Sequence, residues 1–374
     1  MSETSRQFPP GQHPDLPPPR LASGPIYWIR ENLLSSWLNI ALTLVAVYFL
    51  YWLIPTALNW ALFDAVFTAE SRKECLSIGS GACWAFVGER SEQFIYGFYP
   101  AEERWRVDLS FVLLIVALVP VLFAQIPGRG SLLIFAFIYP VLAFFLLVGS
   151  DLIPFLPAVE TAKFGGFMLT MVVGVTGIVA SLPIGIVLAL GRQSKMPIIR
   201  ILCVLFIEFI RGVPLITLLF VASTMLNYFL PPGTTFDLLL RVLIMVMLFS
   251  SAYLAEVIRG GLQAIPKGQT EAADALGLRY WQSMRLIVLP QALKISIPGI
   301  VNSFIGLFKD TTLVSIIGLL DPLGIGRAAL SDIKWTGLAS EVYVFIAVFF
   351  FVCCFGMSRY SLYLEKKLET GHRT

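Results

Sequence analysis

The sequence predicts an all-α protein that crosses a membrane about eight times. Three observations carry that expectation. Charged residues fill only 14% of the 374 positions, against about 25% in soluble domains, and mean hydropathy is +0.79. The apolar residues arrive in blocks, and each block approaches the roughly 20 residues that a helix needs to cross a hydrocarbon core. Basic residues collect in alternate connections between the blocks, as the positive-inside bias requires.

Taken in order, the opening 1–25 has neither the basic nor the apolar region of a signal peptide. Its prolines, Pro9 to Pro25, make it a disordered, extended tail. Residues 26–37 carry Trp28 and Trp37 and suit the membrane interface. Eight spans follow, at 38–58, 109–125, 132–149, 167–190, 198–226, 238–258, 296–319 and 342–360. Arg192, Lys195 and Arg200 flank one short connection, and Arg259, Lys267, Arg279 and Arg285 fill another. Arg359, Lys366 and Lys367 follow the last span, whereas 227–237 has no Lys or Arg. These basic connections fall on the side of both termini, which are expected in the cytoplasm.

The long charged segment 59–108 is then external. It holds Cys75 and Cys83 around Ile78-Gly79-Ser80-Gly81, and an oxidising compartment favours a disulfide between them. Cys203, Cys353 and Cys354 sit inside spans as small packing residues. His13 and His372 are the only histidines, both in polar tails, so no metal-ligand spacing exists and histidine acid/base catalysis is excluded. The small net charge of +3, without a basic tract, gives no reason to expect nucleic acid.

Within the fourth span, Gly166, Thr170 and Gly174 form one small-residue face, and Gly177, Ser181 and Gly185 another. Steps of four let neighbouring backbones approach closely, so this span reads as a central packing helix with Pro183 as a local kink. Beyond the sixth span, 271–276 is a run of strong helix formers, and Gly277 stands where a left-handed cap would end it. A second amphipathic stretch, 280–289, leads to Pro290. The two short helices make a polar knob whose small alanines would admit a close partner.

That knob is where a resemblance becomes specific. Glu271-Ala272-Ala273, Gly277, then Ile287-Val288-Leu289-Pro290 resembles the EAA loop of ABC-importer permeases at every fixed position. Chance would give such a match roughly once in a hundred thousand chains or less. Further stretches resemble the polar-amino-acid members of that class: Glu208-Phe209-Ile210-Arg211-Gly212-Val213-Pro214, Ala255-Glu256-Val257-Ile258-Arg259-Gly260-Gly261 and Lys309-Asp310-Thr311-Thr312. Gly81-Ala82-Cys83-Trp84 and Arg104-Trp105-Arg106 look like the extended permeases of general L-amino-acid importers. The resemblance implies an all-α polytopic protein with a five-helix type I importer core. Its expected organisation is a tail and interfacial segment at 1–37, three spans with the external loop at 38–160, and the core at 161–374 with the loop at 259–290. It also implies a heterodimeric homologous permease partner, two cytoplasmic ABC ATPases, a periplasmic amino-acid-binding protein, and lipid around the spans, in a bacterial inner membrane.

None of the nine lysines follows a glycine, so the phosphate-binding G-K-[ST] ending is missing. The chain is expected to be no enzyme, with no cofactor of its own, ATP and Mg being held by the partner ATPase. Glu271, Ala272, Ala273 and Gly277 are expected to meet that ATPase, with Ile287, Leu289 and Pro290 holding the knob to the spans. Glu208 with Arg211, and Glu256 with Arg259, are spaced as self-neutralising structural pairs. Lys309 and Asp310 are adjacent on a helix, so they diverge by about 100° and must find other partners. A zwitterionic amino acid would supply them. Thr311, Thr312, Asn302, Ser251 and Tyr253 complete the candidate substrate path. Breaks expected at Gly212-Val213-Pro214, at Pro298-Gly299 and at Gly306 would line a cavity. The three early spans are expected to lie outside that path. The rival reading is an ion-gradient-driven transporter or channel for small polar solutes, which would have no use for a docking knob.

Overall fold

The computed structural model describes residues 24–369, apart from 124, 226, 227, 229, 230 and 232–235. The proline-rich tail, both histidines and most of the connection 227–237 lie outside those residues. The described elements are helical throughout, and seven helices are long and apolar enough to cross a membrane, or eight if one bent pair counts as a span. The chain divides into two compact units.

The first unit ends at Phe67 and also takes in Cys75–Cys83. Helix α1, Pro25–Asn32, precedes α2, Trp37–Leu58, which Ser36 caps by accepting from the Asn39 amide at 3.2 Å. No residue of α2 is buried within the chain, as suits a helix apolar on all sides. A π turn, Asn59–Phe63, follows. Cys75, on helix α3 (Arg72–Ile78), is disulfide-bonded to Cys83, their Cα atoms 5.8 Å apart. The turn between them is tight. A Cβ on Gly81 would lie 2.5 Å from the Asp64 carbonyl carbon, so the glycine there serves a close backbone approach.

The second unit comprises Thr68–Glu74 and the chain from Trp84 onward. Short helices α4 (Ala85–Glu89) and α5 (Ser91–Tyr96) lead to the spans α6 (Arg104–Leu122) and α7 (Arg129–Val148). Then come α8 (Gly166–Arg192), α9 (Pro197–Gly212), α10 (Leu215–Phe220) and α11 (Leu238–Gln263). The α9 axis and the Leu215–Met225 segment meet at 101°. Gly212-Val213-Pro214 breaks the helix here because proline disfavours helical backbone before it. The remaining elements are α12 (Lys267–Ala275), α13 (Tyr280–Ser283), α14 (Leu289–Asp310), α15 (Pro322–Ala329) and α16 (Ala339–Glu369).

Helix α8 occupies the centre of this unit, and all six of its small stripe residues are buried. The two registers meet different neighbours. Gly174 faces the Phe308 ring of α14, Gly177 lies against Leu307 and Val246, and a Cβ on Gly185 would sit 2.9 Å from that of Leu254 on α11. The helix continues through Pro183.

One expectation is corrected. The seventh span is not interrupted at Pro298-Gly299 or Gly306, since α14 runs through all three. Its geometry changes at Thr311 instead, where seven residues tighten into a 3₁₀ helix ending at Gly318, φ +95°. The second and third spans pack against the later ones. Tyr99, Val107 and Leu147 share one apolar core with Leu169, Val173, Val242 and Leu307.

At the end of the unit remote from the knob, aromatic residues cap the helices. Phe86 lies 5.7 Å from Trp335 and 6.3 Å from Phe94, while Phe94 meets Phe345 at 5.0 Å. Arg90 is ion-paired with Asp332, and Arg106, fully buried, donates to the Pro157 carbonyl at 2.9 Å. The Gly166 amide donates to the Leu320 carbonyl at 2.8 Å, which ties the start of α8 to the segment before α15.

Candidate functional site: a knob and a three-helix charge cluster

The knob begins where α11 ends. Gly261 lets α11 and α14 close together, because a Cβ there would lie 2.0 Å from the Ser296 hydroxyl and 2.5 Å from the Ala292 carbonyl oxygen. After Pro266, α12 runs to Ala275 and stops in a paired-amide cap. The Leu278 amide reaches Ala273 O at 3.1 Å and the Gly277 amide reaches Asp274 O at 2.9 Å, with Gly277 at φ +70°. That is the left-handed Schellman closure expected of glycine. The Gln282 side chain accepts from the Arg279 amide to start α13. A π turn, Met284–Val288, joins α13 to α14.

The knob is therefore one end of a continuous helical path, Tyr280–Ile317. Pro290 does not stop it. It occupies the first turn of α14, where a missing N–H costs nothing, and it is exposed. The anchor is instead Val288, buried with Ala292, Leu254, Ile258 and Leu262, while Ile287 and Leu289 are half-buried.

The alanine pair also divides. Ala273, expected on the surface, is 0% exposed, and α12 packs on the π turn. Ala272, Glu271 and Gly277 are exposed, as are Leu276 at 76% and Trp281 at 67%. These last two, absent from the sequence-based set, are large apolar groups on a polar knob, a signal that Leu276 beside Gly277 already offered.

Where α11 descends to the knob, five charged side chains from three helices meet. One Nη of Arg192, the last residue of α8, lies 2.8 Å from Glu208 on α9 and 2.9 Å from Glu256 on α11. Arg259 donates to Glu256 at 2.9 and 3.0 Å and to Gln263 at 2.7 Å. Arg211 approaches Glu256 at 3.8 Å, and its guanidinium lies 5.6 Å from the Tyr253 ring centre. The Glu256–Arg259 pair is as expected, but the Glu208–Arg211 pair is not. Both residues turn instead to other helices, since a short crossing between α8 and α9 brings Arg192 nearer. A Cβ on Gly191 would meet the Cys203 sulfur at 2.4 Å.

The substrate-path residues separate by exposure. Ser251 and Thr311 are buried, and each hydroxyl donates to its own helix, to Met247 O at 2.5 Å and Phe308 O at 2.8 Å. They are packing groups, not lining. Thr312 likewise donates to Lys309 O at 2.9 Å. Asn302, Tyr253 and Lys309 are exposed and Asp310 is half-buried. Neither Lys309 nor Asp310 forms an ion pair among the described residues.

Three buried ionisable groups, Arg241, Asp321 and Glu341, escaped the sequence reading. Arg241, in α11, donates to the carbonyls of Ala222 and Ser223 at 3.2 and 2.8 Å, satisfying the end of the broken fifth span. A lone arginine inside an apolar run was itself the signal. Asp321 is fully buried and caps α15 by accepting from the Gly324 amide at 2.8 Å. Burial pushes its carboxyl up to about 6, against the opposing pull of the Gly324 and Leu323 amides and of Arg327. No group of three or more potential metal ligands occurs among the described residues.

Comparison with known proteins places this arrangement. The profile of the family described as binding-protein-dependent transport system inner membrane component matches residues 181–370. The chain is 48% identical to the glutamate/glutamine/aspartate/asparagine transport system permease protein BztC of Rhodobacter capsulatus, covering 96% of each. It is 49% identical to the inner membrane amino-acid ABC transporter permease protein YhdY of Escherichia coli K12, over 96% of this chain and 97% of that one. A shorter relative, the probable glutamine ABC transporter permease protein GlnM of Bacillus subtilis, is 34% identical over 55% of this chain and 93% of its own length. The chain belongs to the family of inner membrane components of binding-protein-dependent transport systems.

Proposed function

We propose that this chain is the permease subunit of an ATP-driven importer of L-amino acids. Support for the cargo comes from the names of BztC and YhdY, with glutamate, glutamine, aspartate and asparagine the first substrates to try. The positive-inside bias of the basic connections supports a cytoplasmic location for the knob and the charge cluster. There the exposed Glu271, Ala272, Leu276 and Gly277 would enter a cleft of a separate ABC ATPase, which binds ATP and Mg. A homologous permease completes the pore, and a periplasmic binding protein delivers the amino acid to the opposite face.

The observation that carries this reading is the continuity of the knob with the helical path Tyr280–Ile317. A helix moves as a rigid lever, so displacement of its knob end by closing ATPases would tilt the membrane part. The α9–α10 elbow supplies a bend about which the fifth span can follow.

The test is purification from the native membrane, identification of the chains that come with this one, and reconstitution of the complex. Uptake of labelled glutamate or glutamine should require internal ATP and the binding protein. Uptake driven by an ion gradient in the absence of ATP would replace this reading with that of a secondary transporter.

A further inference from the structure

We infer that Arg192 is the positioning residue that transmits knob movement to the elbow of the fifth span. The inference rests on the ATP-driven reading above. Glu256 sits on α11 two turns before the knob connection, and Glu208 and Arg211 sit on α9 just before the 101° break. Arg192 makes the short bridge between them, holding Glu208 at 2.8 Å and Glu256 at 2.9 Å through one nitrogen, whereas Arg211 reaches Glu256 directly only at 3.8 Å. Its own helix packs closely against α11, α14 and α9 at Gly177, Gly185 and Gly191. The arginine thus projects from the central packing helix to the two it joins, α9 and α11.

Charge-assisted hydrogen bonds between ionised partners are short and directional, as the 2.8 Å bond from Arg192 to Glu208 is. Glu256 carries the balance, accepting from Arg259 and ion-paired with Arg192, with Arg211 nearby. Removing Arg192 leaves Glu256 paired to Arg259 on its own helix and frees Glu208. The local brace survives, but the short bridge between α11 and α9 is lost, leaving the 3.8 Å approach of Arg211 to Glu256. That separates a coupling role from a purely structural one.

The experiment uses the complete reconstituted transporter, comparing ATP hydrolysed with amino acid taken up. Arg192→Gln should assemble with the ATPases and keep basal ATP hydrolysis. Amino acid transported per ATP should fall by roughly 5- to 150-fold, the range of typical coupling between sites. Arg192→Lys, which keeps the charge but not the planar fork, should recover part of the loss. Glu208→Gln should lower the ratio in the same direction and add little to Arg192→Gln in the double variant, because both break the Arg192–Glu208 contact. The Glu208 side chain is 54% exposed, so this variant reports even if Arg192→Gln inserts badly. An unchanged transport-to-ATP ratio in Glu208→Gln or Arg192→Gln, beside an active wild type, overturns the inference alone. Loss of assembly and basal hydrolysis in every variant overturns it in favour of a brace. A wild-type complex without ATP-driven uptake overturns the importer reading and this inference with it.

Discussion

Single residues decide what the knob and the outer cap can tolerate. Ala273 is sealed between α12 and the π turn, so Ala273→Asp puts a carboxylate where no water or partner reaches it. The cost should be at least about 2 kcal/mol, visible as a lower melting temperature and faster proteolysis at 267–288 in the permease alone. Ala272→Asp lies on the exposed side and should leave the isolated permease unchanged while reducing the ATPase retained on purification. Asp321 gives a pH-dependent counterpart. Below pH of about 4 its carboxyl is neutral in both folded and unfolded chains, and stability is full. As pH rises to about 6 the unfolded chain ionises first, so stability is lost through that window. Asp321→Asn keeps the cap oxygen and removes the charge. Its melting temperature in detergent should exceed that of the wild type above pH of about 6 and lose this advantage towards about 4. A constant difference across the range would disprove the assignment.

At the scale of elements, Gly277 shows how far local sequence reaches. A helix-forming run followed by glycine specifies its own ending, and the structure shows φ +70° at that position. Nothing lies within 4 Å of a Cβ there, so Gly277→Val tests backbone strain without steric conflict. It should cost about 1 kcal/mol or more and fray α12, seen as faster amide exchange from Glu271 to Leu278. The stripes of α8 were legible for the same reason, since their spacing is a property of one helix. What the sequence concealed lies between helices. Glu208 and Arg211 have the spacing of a local pair, yet each finds a partner on another helix. No periodicity says where α8 crosses α9. Likewise the motif that singles out two alanines cannot say which one faces inward, because that depends on the π turn beneath. Pro298 and Gly306 looked like breaks because each weakens an isolated helix. Packing of α14 against α8 and α11 keeps the helix intact.

For the molecule as a whole, the chain carries more than GlnM, whose 93% matches only 55% of it. Helices α6 and α7, outside the family match at 181–370, share apolar surface with α8, through Leu114, Tyr139 and Ala143 against Met171 and Val175. In a bilayer that burial contributes little, because lipid tails are as apolar as the side chains they would replace. The outer cap is different, since it is polar and lies beyond the spans. There Arg90 pairs with Asp332, Phe86 stacks near Trp335, and the Arg72 guanidinium donates to Thr336 O at 3.0 Å. A chain beginning at Glu160 loses all three contacts but keeps α8 to α16. It should therefore still insert and still retain the ATPase through its knob, while the segment 318–338 becomes more open. Limited proteolysis should cut that segment first in the shortened protein and spare it in the full chain. Equal resistance in both would mean that the outer segment is held by α8 alone, through the Gly166 amide and Leu320. A failure to insert would mean that burial between the early spans and α8 matters more than its apolar character implies.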